Sequence, residues 1–258
     1  MKLKCYNFFL ILFSALTIVA CKSDDSDDGI ADFKAENRKG LGTSAEDLLS
    51  NDLYSKVTVE LVYSTNFAPL QQTIDGLQDY LSTRLNKSTI NIVRTVIDQP
   101  TGAPFDPDEI KEIEEENRTL YTTEDEIVVY VFFANGNKDT DTETNFTLGT
   151  SYFNTSIVIY EKTLQDLEAS GNGDLAVLEG TTIQHEFGHL FGLVNIQNDD
   201  IHPSDHEDPN ASRHCVVEDC LMYFESSTPG RLARLETMVN IPTLDALCIA
   251  DLQAKGGK

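Results

Sequence analysis

Between residues 57 and 160 the chain alternates strand-like and helix-like segments, which predicts an α/β domain built on a mixed, mostly parallel sheet. A second observation agrees with it. Residues 127–134 (IVVYVFFA) are apolar without a break, as a strand covered on both faces must be. Size is the third: with an N-terminal leader and linker set aside, ~210 residues remain, enough for one full-sized core.

The elements follow in chain order. Residues 57–63 (VTVELVY) alternate at the strand period of two. Leu70, Ile74, Leu77, Leu81 and Leu85 fall at helical spacing, so 70–85 is expected to be an amphipathic helix. Residues 90–97 read as a second strand. Residues 107–120, rich in Glu, predict an exposed helix with Asp106 as its N-cap and Pro107 at the first helical position. The 127–134 run belongs at the sheet centre. Polar, turn-rich residues 135–145 then lead to two further strands, 148–153 and 157–160.

The first twenty residues are not expected to belong to the fold. Lys2 and Lys4 precede an apolar run from Phe8 to Ala20, the layout of a secretory signal and too short for an ordinary spanning helix. Cys21 follows Ala20 directly, so the segment resembles a bacterial lipoprotein signal. That resemblance implies cleavage before Cys21, lipidation of Cys21 and a membrane link through the lipid alone. Residues 21–45 are expected to form a flexible acidic tether, because KSDDSDDG at 22–29 has nothing to bury. An acidic run directly after the lipidated cysteine also resembles the surface-export signal of Bacteroidetes lipoproteins, which implies an outer-membrane, cell-surface protein. The folded domain is then 46–258.

The formal net charge is -24, and removing residues 1–20 takes away two lysines and no acid. Such a surface repels nucleic acid and anionic membranes, which excludes both as partners. Apart from Cys21, the mature chain carries Cys215, Cys220 and Cys248. In an exported protein these can form a disulfide or a metal-bound cluster.

The segment with the clearest chemistry runs from Thr182 to Gly192 (TIQHEFGHLFG). His185 and His189 are four residues apart, so a helix turns both to one face, where two neutral imidazoles can hold one zinc at about 2.0–2.1 Å. Glu186 can reach the open side of such a metal, accept a proton from water and deliver it to a leaving amine. Gly192, three residues after the second His, permits the left-handed turn that ends the helix. The third ligand remains open at this point among His202, His206 and His214, because position 195 is Asn, whose amide oxygen is a poor donor beside imidazoles.

HExxHxxG resembles the metzincins, whose longer pattern places a third His three residues after the glycine and a methionine turn beyond it. Here Asn195 breaks that pattern. His214-Cys215 followed by Cys220 and Met222 is similar to the archaemetzincin pattern HCx4CxM, which implies His214 as third ligand, with His206 as the alternative, and residues 195–213 as an insertion. The same resemblance implies Met222 as the methionine beneath the metal. It also implies a zincin fold with an active-site helix and a smaller C-terminal subdomain. Tyr223 is a candidate oxyanion donor, with packing as the bland alternative. Archaemetzincins hold a second zinc on these two cysteines and a later CxxC. Here Cys248 is followed by Ile, Ala and Asp251, so that set is incomplete and a Cys215–Cys220 disulfide is expected instead. Taken together, the leader and the motif block resemble Bacteroidetes lipoprotein metallopeptidases.

The expected activity is therefore a zinc-dependent endopeptidase with one catalytic Zn2+, a peptide or protein substrate and a monomeric state. Two other classes compete: a surface lipoprotein that binds zinc without catalysis, and a metallohydrolase acting on a non-peptide amide. The resemblance to metzincins also implies that 148–153 is the edge strand over the cleft, with Gly149 allowing close backbone approach.

Overall fold

The computed structural model describes Asp32–Lys258 except residues 144, 203–205 and 224–227. Residues 1–20, Cys21 and the acidic run at 22–29 lie outside the described residues.

Five strands form the sheet: β1 (Lys56–Tyr63), β2 (Thr89–Val96), β3 (Glu126–Phe133), β4 (Gly149–Phe153) and β5 (Ser156–Ile159). Their order is β2-β1-β3-β5-β4, parallel throughout except for β4, which runs antiparallel to β5. The expected mixed, mostly parallel α/β sheet is what the chain forms. The apolar β3 run sits in the middle, and its period of two feeds both faces. Val129, Val131 and Phe133 join one core with Leu77 and Leu81 of α2 (Gln71–Arg84), whereas Tyr130 and Phe132 join a second core with Ile110 and Ile113 of α3 (Pro107–Asn117). Each such side chain, fully buried, contributes roughly 1.5–3 kcal/mol of transfer free energy.

Alternation in β1 does not mark a solvent face, because both faces are covered. Glu60 is fully buried on the α3 side, where Thr95 Oγ1 donates to its Oε1 at 2.9 Å and the backbone N–H groups of Thr119 and Leu120 donate to Oε2 at 3.1 Å each.

Two expectations need correction here. α3 is not simply exposed: Asp106 caps it in a full capping box as expected, but Ile110, Ile113 and Glu114 are buried, and Glu114 pairs with Arg118 at 2.7 Å inside the protein. Nor is the part of the tether at 32–45 free. Asn37 is fully buried, with its Nδ2 2.9 Å from Val128 O and its Oδ1 accepting from Thr122 N at 2.9 Å. Asn154 takes Lys39 N–H at 3.0 Å and gives an N–H to Glu36 O at 2.8 Å. Polar side chains there find partners on the sheet, so the segment docks before α1 (Ala45–Leu49) begins.

The remaining helices and strands are α4 (Glu161–Ala169), α5 (Leu175–Leu190), the hairpin β6 (Glu207–Asp208) with β7 (Ala211–Cys215), α6 (Thr228–Thr237) and α7 (Ala246–Ala254). The C-terminal part shares the main core through Leu193, Cys215, Met222 and Leu252 instead of owning a separate one. Among the described residues no helix is long and apolar enough to cross a membrane.

Candidate metal centre

α5 carries the motif and, among the described residues, is the helix with the largest buried share. Asp174 caps its start, accepting Val177 N–H at 3.2 Å, and Ile183, Phe187 and Leu190 are buried. Its end closes as expected at Gly192, whose φ of 70° lets Gly192 N–H reach His189 O at 3.1 Å and Leu193 N–H reach Gly188 O at 3.0 Å.

β7 returns His214 to the helix. One donor atom each from His185, His189 and His214 lies within 4.8 Å of the others. The ring centroids are 4.8, 5.2 and 5.1 Å apart for the 185–189, 185–214 and 189–214 pairs. Backbone carbonyls set the tautomers of two of the rings. Leu221 O lies 2.8 Å from His185 Nδ1 and Ser212 O lies 3.0 Å from His214 Nδ1. A carbonyl only accepts, so each Nδ1 carries the proton and each Nε2 keeps its lone pair for a metal. His189 is buried, and desolvation first, then His185, His214 and Arg213, hold its imidazole well below the usual histidine range. All three rings are thus suited to zinc, which takes neutral imidazole.

Glu186 is buried one residue along the helix. Ser151 Oγ on β4 lies 2.8 Å from Glu186 Oε2 and 2.9 Å from Glu186 O, so one hydroxyl ties the carboxylate to the edge strand. Gly149 makes this approach feasible. A Cβ there would sit 2.8 Å from Thr182 Cγ2 and 2.9 Å from Glu186 Cγ, so the close neighbour that the glycine admits is α5 itself. Met222 is fully buried beneath the helix, where a Cβ on Gly188 would overlap its Sδ, and Met222 O accepts Cys215 N–H at 2.8 Å. Tyr223 lines the same cleft, a cavity of about 370 Å³, together with Leu148, Leu221, Arg213 and Arg234. The Arg234 guanidinium stands 5.0 Å from the Tyr223 ring centre.

The other predicted residues go elsewhere. Asn195 is not with the imidazoles in chemistry: its backbone N–H donates to Asp200 Oδ2 at 2.6 Å and its Nδ2 faces Glu207 Oε2 at 3.4 Å. His206, the alternative third ligand, is fully buried against Cys248, with Nε2 3.3 Å from Sγ. In place of the expected Cys215–Cys220 disulfide, Cys215, Cys220 and Cys248 are buried free thiols, with the Cys220 and Cys248 sulfurs 3.7 Å apart. Ser151, Arg213 and Arg234 escaped the sequence analysis. Ser151 lies in the recognised edge segment, but no spacing rule links it to Glu186, and the two arginines reach the cleft only through tertiary packing.

No protein-family model and no curated protein matches the chain. Among solved structures, the chain is similar to archaemetzincin from Methanopyrus kandleri, at 17% identity over 78% of this chain and 96% of that one, with a TM-score of 0.49. It is also similar to a zinc-dependent peptidase from Methanocorpusculum labreanum, at 15% identity over 75% of this chain and 99% of that one, with a TM-score of 0.45.

Proposed function

We propose that this chain is a zinc-dependent endopeptidase in which His185, His189 and His214 hold one catalytic ion and Glu186 is the general base. One observation carries the reading: three imidazoles meet beside a buried carboxylate in the wall of a cleft bordered by an edge strand. Zinc, when bound, supplies Lewis acidity toward a scissile carbonyl and the attacking water. Glu186 takes the proton of that water and passes it to the leaving amine, while Ser151 holds the carboxylate at the cleft. β4 offers its main-chain groups to an extended peptide, which suits a peptide or protein substrate of a monomeric enzyme. Tyr223 is assigned to the developing oxyanion.

The deciding experiment replaces the base alone. Glu186→Ala should retain zinc and lose casein or gelatin hydrolysis by at least ~10²–10⁴-fold. Near-wild-type turnover by that variant would remove Glu186 from the mechanism. A wild-type protein that holds zinc but cleaves nothing would favour the non-catalytic lipoprotein instead. Placement at the outer membrane and cell surface rests on the Cys21 signal. Cys21→Ala should move the protein from the membrane fraction to the soluble fraction of its native host, and unchanged fractionation would reject the anchor.

A further inference from the structure

A second group of atoms able to hold a metal lies on the other side of β7 from His214, with His206, Cys215 and Cys248 buried and Asp245 half-buried. Donor atoms of His206, Cys215, Asp245 and Cys248 lie within 4.8 Å of one another, and Cys220 Sγ is 3.7 Å from Cys248 Sγ. A tetrahedral zinc with bonds of about 2.3 Å to sulfur and 2.0 Å to nitrogen spaces two sulfurs ~3.8 Å apart, and a sulfur and a nitrogen ~3.5 Å apart. The observed Cys220–Cys248 separation and the 3.3 Å between His206 Nε2 and Cys248 Sγ lie close to those edges.

We propose that Cys215, Cys220, Cys248 and His206 form a closed structural site for a zinc-class cation, separate from the catalytic one. This chain differs from the similar pattern in its fourth ligand. The CxxC of the similar pattern would place a cysteine at position 251, where this chain has Asp, and the ligand comes instead from the 195–213 loop. His206 Nδ1 faces His202 O at 3.3 Å, so the proton sits on Nδ1 and the Nε2 lone pair is turned to the sulfurs. Asp251 is fully buried behind it. Its Oδ1 takes Ile201 N–H at 2.9 Å and lies 3.2 Å from His202 Nδ1, and its Oδ2 stands 3.7 Å from His206 Nδ1 with no hydrogen-bond partner of its own. A buried carboxylate behind an imidazole is the arrangement that orients a ligating histidine. The sulfurs are prepared as thiolate ligands: Val217 N–H points to Cys215 Sγ at 3.3 Å, and Met222 and Asp245 N–H point to Cys220 Sγ at 3.4 Å each. Asp245 is the donor left over, since its Oδ1 caps α7 by accepting Cys248 N–H at 2.8 Å.

The site would pin the 195–213 loop, β7 and α7 to one ion, one residue away from His214. It holds whether or not the catalytic reading does, and metal counting separates the two. The full chain purified without chelator should contain two zinc ions, and His185→Ala with His189→Ala should leave one. Cobalt in that double variant should show sulfur-to-metal charge-transfer absorption. Adding His206→Ala should lower its metal affinity by more than the ~10–100-fold that loss of an outer-shell partner produces, and Asp251→Asn should fall within that range. His206→Cys, which keeps a ligand if His206→Ala does not fold, should restore binding and strengthen the charge-transfer band. Finding no zinc in the His185→Ala, His189→Ala variant, a native Cys215–Cys220 disulfide, no charge-transfer band, or unchanged affinity and band in both His206 variants would overturn the proposal; one zinc in the wild-type chain that survives in the double variant would instead reject the catalytic ion alone.

Discussion

Gly188, the residue between the motif's Phe187 and His189, should respond to alanine in a direction that helix propensity alone gets wrong. Gly→Ala in a helix interior gains about 1 kcal/mol from reduced backbone freedom. Gly188 lies inside α5, so propensity predicts stabilisation. At this position, however, the new methyl would overlap Met222 Sδ, with Met222 Cε at 3.0 Å and Cγ at 3.6 Å. Met222 is fully buried, so its thioether cannot swing into solvent. Forcing an extra methyl into a filled core costs roughly 1–3 kcal/mol, which leaves Gly188→Ala net destabilising by about 0–2 kcal/mol. Displacing Met222 also disturbs the Cys215–Met222 backbone bond next to His214, so zinc affinity should fall as well. Gly76 on α2 is the internal control, because a Cβ there meets nothing within 4 Å and Gly76→Ala should stabilise by about 1 kcal/mol. Urea unfolding of both variants, with zinc competition titrations, measures the contrast. If Gly188→Ala stabilises as much as Gly76→Ala and binds zinc like wild type, the packing argument is refuted.

Three further outcomes are expected. His214→Ala should cost zinc affinity far more than the ~10–100-fold of an outer-shell change, while Asn195→Ala should cost less than that; equal effects in a chelator competition would discard His214 as the ligand. Ser151→Ala removes a charge-assisted hydrogen bond to Glu186 worth about 1.5–3 kcal/mol. It should lower kcat roughly tenfold or more without changing zinc content or KM; an unchanged kcat would reduce Ser151 to packing. Glu161 is fully buried, and desolvation first, then the Glu179 charge, push its carboxyl up to about 9. A raised folded-state pKa gives stability that is whole below the unfolded value and lost as pH rises toward 9. Glu161→Gln should therefore raise the melting temperature at pH 8 and leave it little changed at pH 4, whereas a parallel shift at both would remove titration as the cause.

Segments with a strong period are legible in the sequence. The β3 run, the α2 leucines and the Asp106–Pro107 helix start each encode their conformation within a few residues. The same holds for His185, Glu186 and His189, because one helical turn suffices to bring them to a common face. His214 was legible only through a resemblance, since its approach depends on a hairpin that the sequence does not spell out. α4, α6 and α7 carry no strong period to read, and the polar residues of 32–45 look solvated until the strand turns that bond them are in place.

The sequence alone therefore determined the sheet centre, the motif helix and its glycine stop, all of which rest on local periodicity and backbone conformation. Only the tertiary structure decided which histidine joins which cluster. His206 and His214 stand eight residues apart in one polar stretch, and no local periodicity distinguishes them; only the resemblance of the residues after His214 favours it. Packing does: β7 turns His214 toward α5, whereas the buried Asp251 carboxylate and the Cys248 thiol of α7 receive His206. Ligand identity at that distance is set by which side chains the assembled core brings together, and this is a property of long-range contacts that no local pattern carries.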